Sequence, residues 1–224
     1  MSMETKGTPP LDPMLAGLVE LYRNRNRNIN NEKWLAIPDR NLLKCAIELD
    51  LDYNEIEGKK VLDIGSRLLR EKFSIQAKKQ LQAEVFSVNP ALKGWIYRKI
   101  LKFKNPGWQR KSIAATGGKL PFIDNYFDTA ISSSEITVFY PEGEQRLQAI
   151  KEIIRTLKPG GRLHMAPRGI ESISGNPVSV EKVLGEDFVD WLIENNHTLE
   201  SDGDPKSGGY GPIIIKKNPN QTEK

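Results

Sequence analysis

The 224-residue chain is 28% charged and 38% hydrophobic, with a formal net charge of +4 at pH 7. This composition is typical of a globular protein of one large domain, with or without a small addition. No apolar run approaches the roughly 18 residues of a membrane-spanning helix, and we expect no secretory signal, because the first residues lack its basic and apolar regions. The single cysteine, Cys45, excludes an internal disulfide and favours the reducing cytoplasm. With two histidines besides, no zinc site is expected.

The first 58 residues predict a helical N-terminal extension. Residues 11–25 carry apolar side chains at helical spacing behind Asp12, which is a suitable N-cap. The asparagine-rich stretch 23–31 is predicted to be a loop, because asparagine disfavours helix. Residues 39–51 carry a second apolar stripe and predict a second helix.

From Lys59 onward, short predicted strands alternate with helices. Apolar runs bounded by turn residues predict strands at 60–65, 84–88, 112–115, 127–132 and 162–166, and two late strands at 197–201 and 212–217. Helical spacing predicts helices near 147–157 and 186–196, the first ended by the KPGG sequence at 158–161. This alternation is typical of an α/β fold, with an open parallel sheet and helices on both faces. The two late strands would add an antiparallel edge.

The charges are distributed unevenly along the chain. Residues 59–119 hold fifteen basic and three acidic residues, so this segment carries +12 and the remainder −8. Seven cations and four aromatic residues lie between Lys93 and Lys111, with no acid among them. Three interpretations stay open: a surface for an anionic polymer, a helix at a membrane surface, and a solvated helix that packs its apolar side on the sheet.

Four motifs resemble those of a known enzyme family in their order and spacing. They are VLDIG at 61–65, VFSVNP at 85–90, KLPFIDNYFDTAISS at 119–133 and EIIRTLKPGGRL at 152–163. Over residues 59–167 they are similar to the class I S-adenosylmethionine-dependent methyltransferases, above all to the methyltransferase type 11 group. The resemblance implies a Rossmann-like, seven-stranded, mostly parallel sheet at 59–217, preceded by N-terminal helices and followed by a disordered tail at 218–224. It also implies S-adenosylmethionine as the cofactor.

The resemblance assigns cofactor contacts to the ends of the predicted strands. Asp63, Gly65 and Ser66 would border the amino-acid end of S-adenosylmethionine. Asn89 would bind the ribose, and Thr116 would meet the adenine. Glycines in the first turn let the backbone approach the ligand, and the helix that follows presents its amides there.

The sequence departs from the family at three of these contact points. The family usually has glycine at the places of Arg67 and Leu69, whose side chains occupy space that the cofactor needs. It generally has Asp or Glu where this chain has Asn89, and an acid where this chain has Thr116. An amide accepts one hydrogen bond and donates one, so the ribose would be held less strongly than by a carboxylate.

Several of these residues also have a purely structural interpretation. Asp63 would cap the following helix, Asn89 would form a turn with Pro90, and Thr116 would lie in an ordinary loop. His164 falls within a predicted central strand, and we expect it to be a core histidine with satisfied polar atoms.

The acceptor side of the site is expected after the fourth strand. Candidates there are Ser132, which is also assigned to cofactor binding, Ser134, Glu135 and Tyr140, with Tyr210 further along the chain. Glu135 is the candidate general base, although methyl transfer from a sulfonium needs mainly alignment and the exclusion of water.

Two functions from different classes follow from these observations. The first is a divergent S-adenosylmethionine-dependent methyltransferase with an unidentified acceptor. The second is a catalytically silent member of the same fold that binds a partner through the basic, aromatic segment. A nicotinamide-dependent dehydrogenase is disfavoured, since the sequence G-x-G-x-x-G is absent.

Overall fold

The computed structural model describes residues 41–66, 72–93, 111–133, 136, 143–166, 184, 186–202 and 212–219. All of them belong to one compact unit, Asp39–Lys224. The predicted helix at 11–25, the predicted loop at 23–31 and residues 94–110 of the basic segment lie outside the described residues. Among the helices of the described part, none is both long and apolar enough to cross a bilayer.

Helices and strands alternate along the described residues. The α-helices are α1 (Leu42–Leu49), α2 (Phe73–Leu81), α3 (Glu144–Thr156) and α4 (Glu186–Glu194). The strands are β1 (Lys60–Ile64), β2 (Glu84–Val88), β3 (Ser112–Ile113), β4 (Phe127–Ser132), β5 (Leu157–Met165), β6 (Thr198–Asp202) and β7 (Ile213–Lys216). Short 3₁₀ turns cover Tyr53–Glu55 and Pro90–Lys93.

The seven strands form one sheet in the order β3-β2-β1-β4-β5-β7-β6. Within the group β1 to β5, all neighbouring strands are parallel. Strand β7 runs antiparallel to both β5 and β6. The chain order reverses at β1, which lies between β2 and β4. The predicted Rossmann-like, mostly parallel α/β sheet with an antiparallel closing pair is therefore confirmed.

Helices cover both faces of the sheet, as predicted. Helices α1 and α2 pack on one face, where Cys45 and Phe73 share a core with Val61 of β1. Helices α3 and α4 pack on the other face, where Phe188 shares a core with Leu62 of β1. Neighbouring residues of β1 thus point into opposite cores, because side chains alternate across a pleated strand. Residues 42–56, part of the predicted extension, belong to the first of these cores.

The LKPGG sequence at 157–161 joins α3 to β5 without a loop. Strand β5 begins at Leu157, directly after α3, rather than at the predicted residue 162. Gly160 has φ 82°, in the left-handed region that favours glycine. A Cβ atom on Gly161 would lie 2.9 Å from two backbone oxygens, those of Asp128 in β4 and of Lys158 in β5. Gly161 therefore allows β5 to pack closely on β4, and Gly160 allows the left-handed backbone before it, which makes the motif architectural.

Candidate functional site

Strands β1 to β4 end at the same edge of the sheet, beside the point where the chain order reverses. Backbone hydrogen bonds join the residues that follow them: Gly65 N donates to Val88 O (2.9 Å), and Asn89 N donates to Ile113 O (3.0 Å). In open parallel sheets, ligands bind beyond the carboxyl ends of the strands at such a reversal. The residues of the predicted site at this edge are Asp63, Gly65, Ser66, Asn89 and Ser132.

The end of β1 and the turn after it combine a buried carboxylate, a left-handed glycine and a buried hydroxyl. Asp63 is fully buried, and Gly65 has φ 79°. Ser66 is also fully buried, and its Oγ has no hydrogen-bond partner among the described residues. A buried polar atom without a partner costs about 1–3 kcal/mol. The Ser66 hydroxyl therefore marks a place where a ligand or water would complete the hydrogen bonding. Arg67 and Leu69 lie outside the described residues.

Asn89 follows β2, and its side chain reaches the turn after β1. Its Nδ2 donates a hydrogen bond to the backbone oxygen of Ser66 at 2.5 Å. Because a carbonyl oxygen only accepts, the amide nitrogen has to be the atom that faces it. One of the two amide donors that could have served a ribose hydroxyl is thus engaged within the protein.

Ser132 closes β4 on the other side of β1. It is 1% exposed, and its Oγ accepts a hydrogen bond from the backbone nitrogen of Ile136 at 3.3 Å. This bond fixes the start of the segment after β4. The other acceptor-side candidates, Ser134, Glu135, Tyr140 and Tyr210, lie outside the described residues.

Thr116 lies in an exposed turn after β3. It forms a short antiparallel bridge with Lys119, so its side chain is at the surface. The next residues are clamped onto α3: Arg155 donates to the backbone oxygen of Phe122 (2.9 Å) and pairs with Asp124, while Glu152 accepts from Leu120 N (3.0 Å).

The electrostatics of this clamp follow from its geometry. The hydrogen bond from Arg155 lowers the pKa of Glu152, against a partial burial that would raise it. The bonds to Glu152 and Asp124 likewise raise the pKa of Arg155. Both side chains therefore stay charged at neutral pH, and the clamp holds the segment that leads from the Thr116 turn to β4.

Comparison with known proteins finds a family match over this region. Residues 63–165, a little under half of the chain, match the family model described as a methyltransferase domain. The match supports the class I S-adenosylmethionine-dependent methyltransferase family that the four sequence motifs resemble. The matched region begins at Asp63 and ends with β5, so it includes all the described residues of the candidate site. No curated protein matches the chain.

Two solved structures have a similar fold. One is the 1,6-didemethyltoxoflavin-N1-methyltransferase of Burkholderia thailandensis, with 1,6-didemethyltoxoflavin and S-adenosylhomocysteine bound. It is 15% identical with a TM-score of 0.53, and the similarity covers 98% of this chain and 99% of that one. The other is the [4+2]-cyclase SpnF, 16% identical with a TM-score of 0.50 over 78% of each chain. At such identities the similarity shows the fold alone.

The resemblance seen in the sequence implies S-adenosylmethionine as the cofactor, and the Burkholderia structure of similar fold holds S-adenosylhomocysteine. The described residues at the strand ends fit its polar groups. Asp63 supplies a buried carboxylate, Ser66 supplies a buried hydroxyl that still lacks a partner, and Gly65 allows the turn between them. Asn89 offers less to the ribose than the family's acid does, since an amide has one neutral acceptor oxygen and a carboxylate has two charged ones.

The Phe127-Asp128 pair of the methyltransferase motif lies at the opposite edge of the sheet, where β4 begins. Asp128 Oδ2 accepts from Lys60 N of β1 (2.9 Å), and Oδ1 accepts from Lys158 Nζ of β5 (2.7 Å). Partial burial would raise the pKa of Asp128, but these two hydrogen bonds and the charges of Lys158 and Lys59 lower it overall. Asp128 thus joins three strands, and it does not belong to the strand-end site.

His164 is a buried residue of β5, as predicted. Its ring is 1% exposed, and Nδ1 lies 2.9 Å from the backbone oxygen of Leu49. Nε2 lies 3.0 Å from Glu55 Oε2, an ion-pair distance, although the two atoms do not have hydrogen-bond geometry. Glu55 also pairs with Arg162 (3.0 Å). These contacts join the end of α1 and the segment after it to β5. We therefore interpret His164 as a structural residue.

Proposed function

We propose that the chain is an active S-adenosylmethionine-dependent methyltransferase, which holds its cofactor at the carboxyl ends of β1, β2 and β4 and transfers the methyl group to an acceptor still to be identified. The observation that carries the proposal is the buried Ser66 hydroxyl, which has no partner among the residues that the structure describes and directly follows the left-handed Gly65. A turn that served only the fold would gain by pairing or replacing this hydroxyl, since an unpaired one destabilises it.

The chemistry asks little of the protein besides binding. S-adenosylmethionine supplies a methyl group that its sulfonium already activates. The residues of the turn after β1 would bind and orient the cofactor, and the covered strand ends would exclude water. We propose Ser132 as a further wall of this pocket. Glu135 follows closely in the sequence and is our candidate for taking a proton from the acceptor.

Fold alone does not decide between methyl transfer and other reactions. One solved structure of similar fold is described as an N-methyltransferase with S-adenosylhomocysteine bound, and another is described as a [4+2]-cyclase. Function therefore has to be argued from the site and tested by binding.

Calorimetric titration with S-adenosylmethionine and S-adenosylhomocysteine tests the proposal. We expect saturable heat at micromolar ligand. Ser66→Ala should weaken binding by about five- to tenfold, since one hydrogen bond contributes about 1 kcal/mol. Ser201→Ala is the matched control, because Ser201 lies in β6 at the far edge of the sheet. A flat trace with the unmodified chain at millimolar ligand would refute the proposal.

A catalytically silent member of the family is the second candidate. The observation that favours it is the bond from Asn89 to Ser66, which removes a donor from the ribose side of the site. Arg67 and Leu69, where the family usually has glycine, favour it as well. In this form the chain would bind an anionic polymer or a membrane surface through Lys93–Lys111.

Chromatography on heparin tests this second function. The full chain should be retained, and the Lys99→Glu, Lys102→Glu, Lys104→Glu variant should lose its retention. Unchanged retention of the variant would contradict an anionic partner at this segment. We also propose a cytoplasmic location for either form, on the basis of the single cysteine, which is buried in α1.

A further inference from the structure

Asn89 joins two strand ends that the cofactor would touch. Its backbone nitrogen donates to Ile113 O of β3 (3.0 Å), and its side-chain Nδ2 donates to Ser66 O in the turn after β1 (2.5 Å). On the same turn, Gly65 N donates to Val88 O at the end of β2 (2.9 Å). The turn is therefore tied to the end of β2 on both sides of the Gly65–Ser66 peptide.

The side-chain bond determines the path of the backbone at Ser66. The Ser66 side chain is fully buried and its Oγ has no partner among the described residues, so nothing in its own side chain is seen to hold it in place. The Asn89 amide does so from the backbone side, by engaging the carbonyl of the same residue. A shift of this carbonyl would move the Ser66 hydroxyl and the left-handed Gly65 together.

We propose that Asn89 is a positioning residue, which holds the turn after β1 in its cofactor-binding shape through its amide donor. The inference rests on the proposed function. The family typically has an acid at position 89, where it would bind the ribose. In this chain we expect the opposite effect: an acid at position 89 should weaken cofactor binding.

The reason is the number of donors at this position. Aspartate has the size and shape of asparagine, but its ionised carboxylate only accepts hydrogen bonds. In Asn89→Asp an oxygen would replace the nitrogen that now lies 2.5 Å from the Ser66 carbonyl oxygen, and two acceptors repel each other at that distance. The new side chain would have to turn away, which leaves the carbonyl without its donor and the turn without its tie.

The first measurement is the affinity for S-adenosylhomocysteine, by calorimetry on the full chain at pH 7.5. We expect Asn89→Asp to bind about tenfold more weakly than the unmodified chain, which corresponds to about 1.4 kcal/mol. Asn89→Ala, which removes the donor but adds no acceptor, should fall between the two. Asn196→Asp is the matched control for the charge, because Asn196 is exposed and lies after α4, in a left-handed conformation that aspartate also adopts.

Acidic pH provides a rescue that a general loss of structure would not show. A protonated carboxyl group can donate again, and the ordinary pKa of aspartate is about 3.9, so the difference between Asn89→Asp and the unmodified chain should narrow when the pH is lowered from 7.5 to about 4. A difference that is the same at both pH values would overturn the proposal, and so would an affinity of Asn89→Asp equal to or higher than that of the unmodified chain.

Unfolding in urea without cofactor separates this inference from the proposed function. We expect a lower midpoint for Asn89→Asp than for Asn89→Ala and for Asn196→Asp. If the unmodified chain binds no S-adenosylhomocysteine, the proposed function fails, and the order of the midpoints alone decides the inference. Equal midpoints of Asn89→Asp and Asn89→Ala would then overturn it.

Discussion

Asp128 offers the sharpest test of how the sheet is held together. Its two carboxylate oxygens accept from Lys60 N of β1 and from Lys158 Nζ of β5. Replacing it by asparagine keeps the shape and one acceptor oxygen, but it removes the charge and turns one oxygen into a donor. That donor would face either a backbone N–H or an ammonium, neither of which can accept a hydrogen bond.

The expected loss follows from the exposure of the two partners. A hydrogen bond to a charged group contributes about 1.5–3 kcal/mol, and a neutral one contributes about 1. The ion pair with Lys158 is partly exposed, with side chains 24% and 43% accessible, so solvent screening limits it to less than about 1 kcal/mol. Asp128→Asn should therefore lower the free energy of unfolding by about 1–2 kcal/mol at pH 7.

The sign of the pH dependence follows from the direction of the pKa shift. The pKa of Asp128 is lower in the folded chain than its ordinary value of about 3.9. The stabilisation is thus complete above the unfolded pKa and is lost as the pH falls through the folded pKa. The difference between the unmodified chain and Asp128→Asn should accordingly be full at pH 7 and should shrink below about pH 4.

Urea unfolding followed by tryptophan fluorescence, at steps from pH 7 to pH 3.5, measures this difference. Asp187→Asn, in the exposed part of α4, is the control for the loss of one charge. Because Asp128 lies at the edge opposite to the candidate site, its asparagine variant should keep the affinity for S-adenosylhomocysteine. A difference below about 0.5 kcal/mol at pH 7, or one that grows on acidification, would refute the reasoning.

Three further predictions concern packing, the clamp and the buried thiol. Gly161→Ala should lower the free energy of unfolding by about 2–3 kcal/mol, because its Cβ would lie 2.9 Å from two backbone oxygens. Gly160→Ala should lower it by about 1 kcal/mol, because the new Cβ has open space but the backbone has φ 82°. If urea unfolding gave the reverse order of the two variants, it would contradict this prediction. Arg155→Met should expose residues 120–124 to limited proteolysis and weaken S-adenosylhomocysteine binding severalfold in calorimetry, since the clamp leads to the Thr116 turn; an unchanged cleavage pattern would argue against the clamp. Cys45, 0% exposed, should react with an aromatic disulfide reagent only upon unfolding, and fast labelling in native buffer would show that α1 opens readily.

Much of the fold could be predicted from the sequence, because strands buried on both faces are continuous apolar runs bounded by turn residues. The predicted limits of β2 and β4 agree with the structure to the residue. A helix was expected after the first strand, but the bounds of α2 were not predicted. Its buried residues Phe73, Ala77 and Leu81 recur at every fourth position, but the residues between them are mostly polar, so the apolar signal is weak. The start of β5 was placed too late, since proline and glycine usually end a strand rather than lie within it.

The candidate site could be predicted only in part, for a different physical reason. Strand ends follow from local pattern, so Asp63, Gly65 and Ser132 lie at the expected edge of the sheet. Hydrogen bonds between residues far apart in sequence do not follow from pattern. Asn89 was expected at a ribose, and its bond to Ser66 depends on the distance between two turns, which only the structure gives. The roles of Thr116 and Glu135 stay predictions.

The position of β7 has a consequence for how the sheet assembles. This strand comes last in the sequence of the sheet, yet it lies between β5 and β6, and among the described strands β6 pairs with β7 alone. Strand β6 therefore has nothing to dock on until β7 has paired with β5. A fragment that stops before residue 212 would leave the long edge of β5 open for association with other chains, so the cover of this edge and the docking of β6 both depend on the four residues of β7.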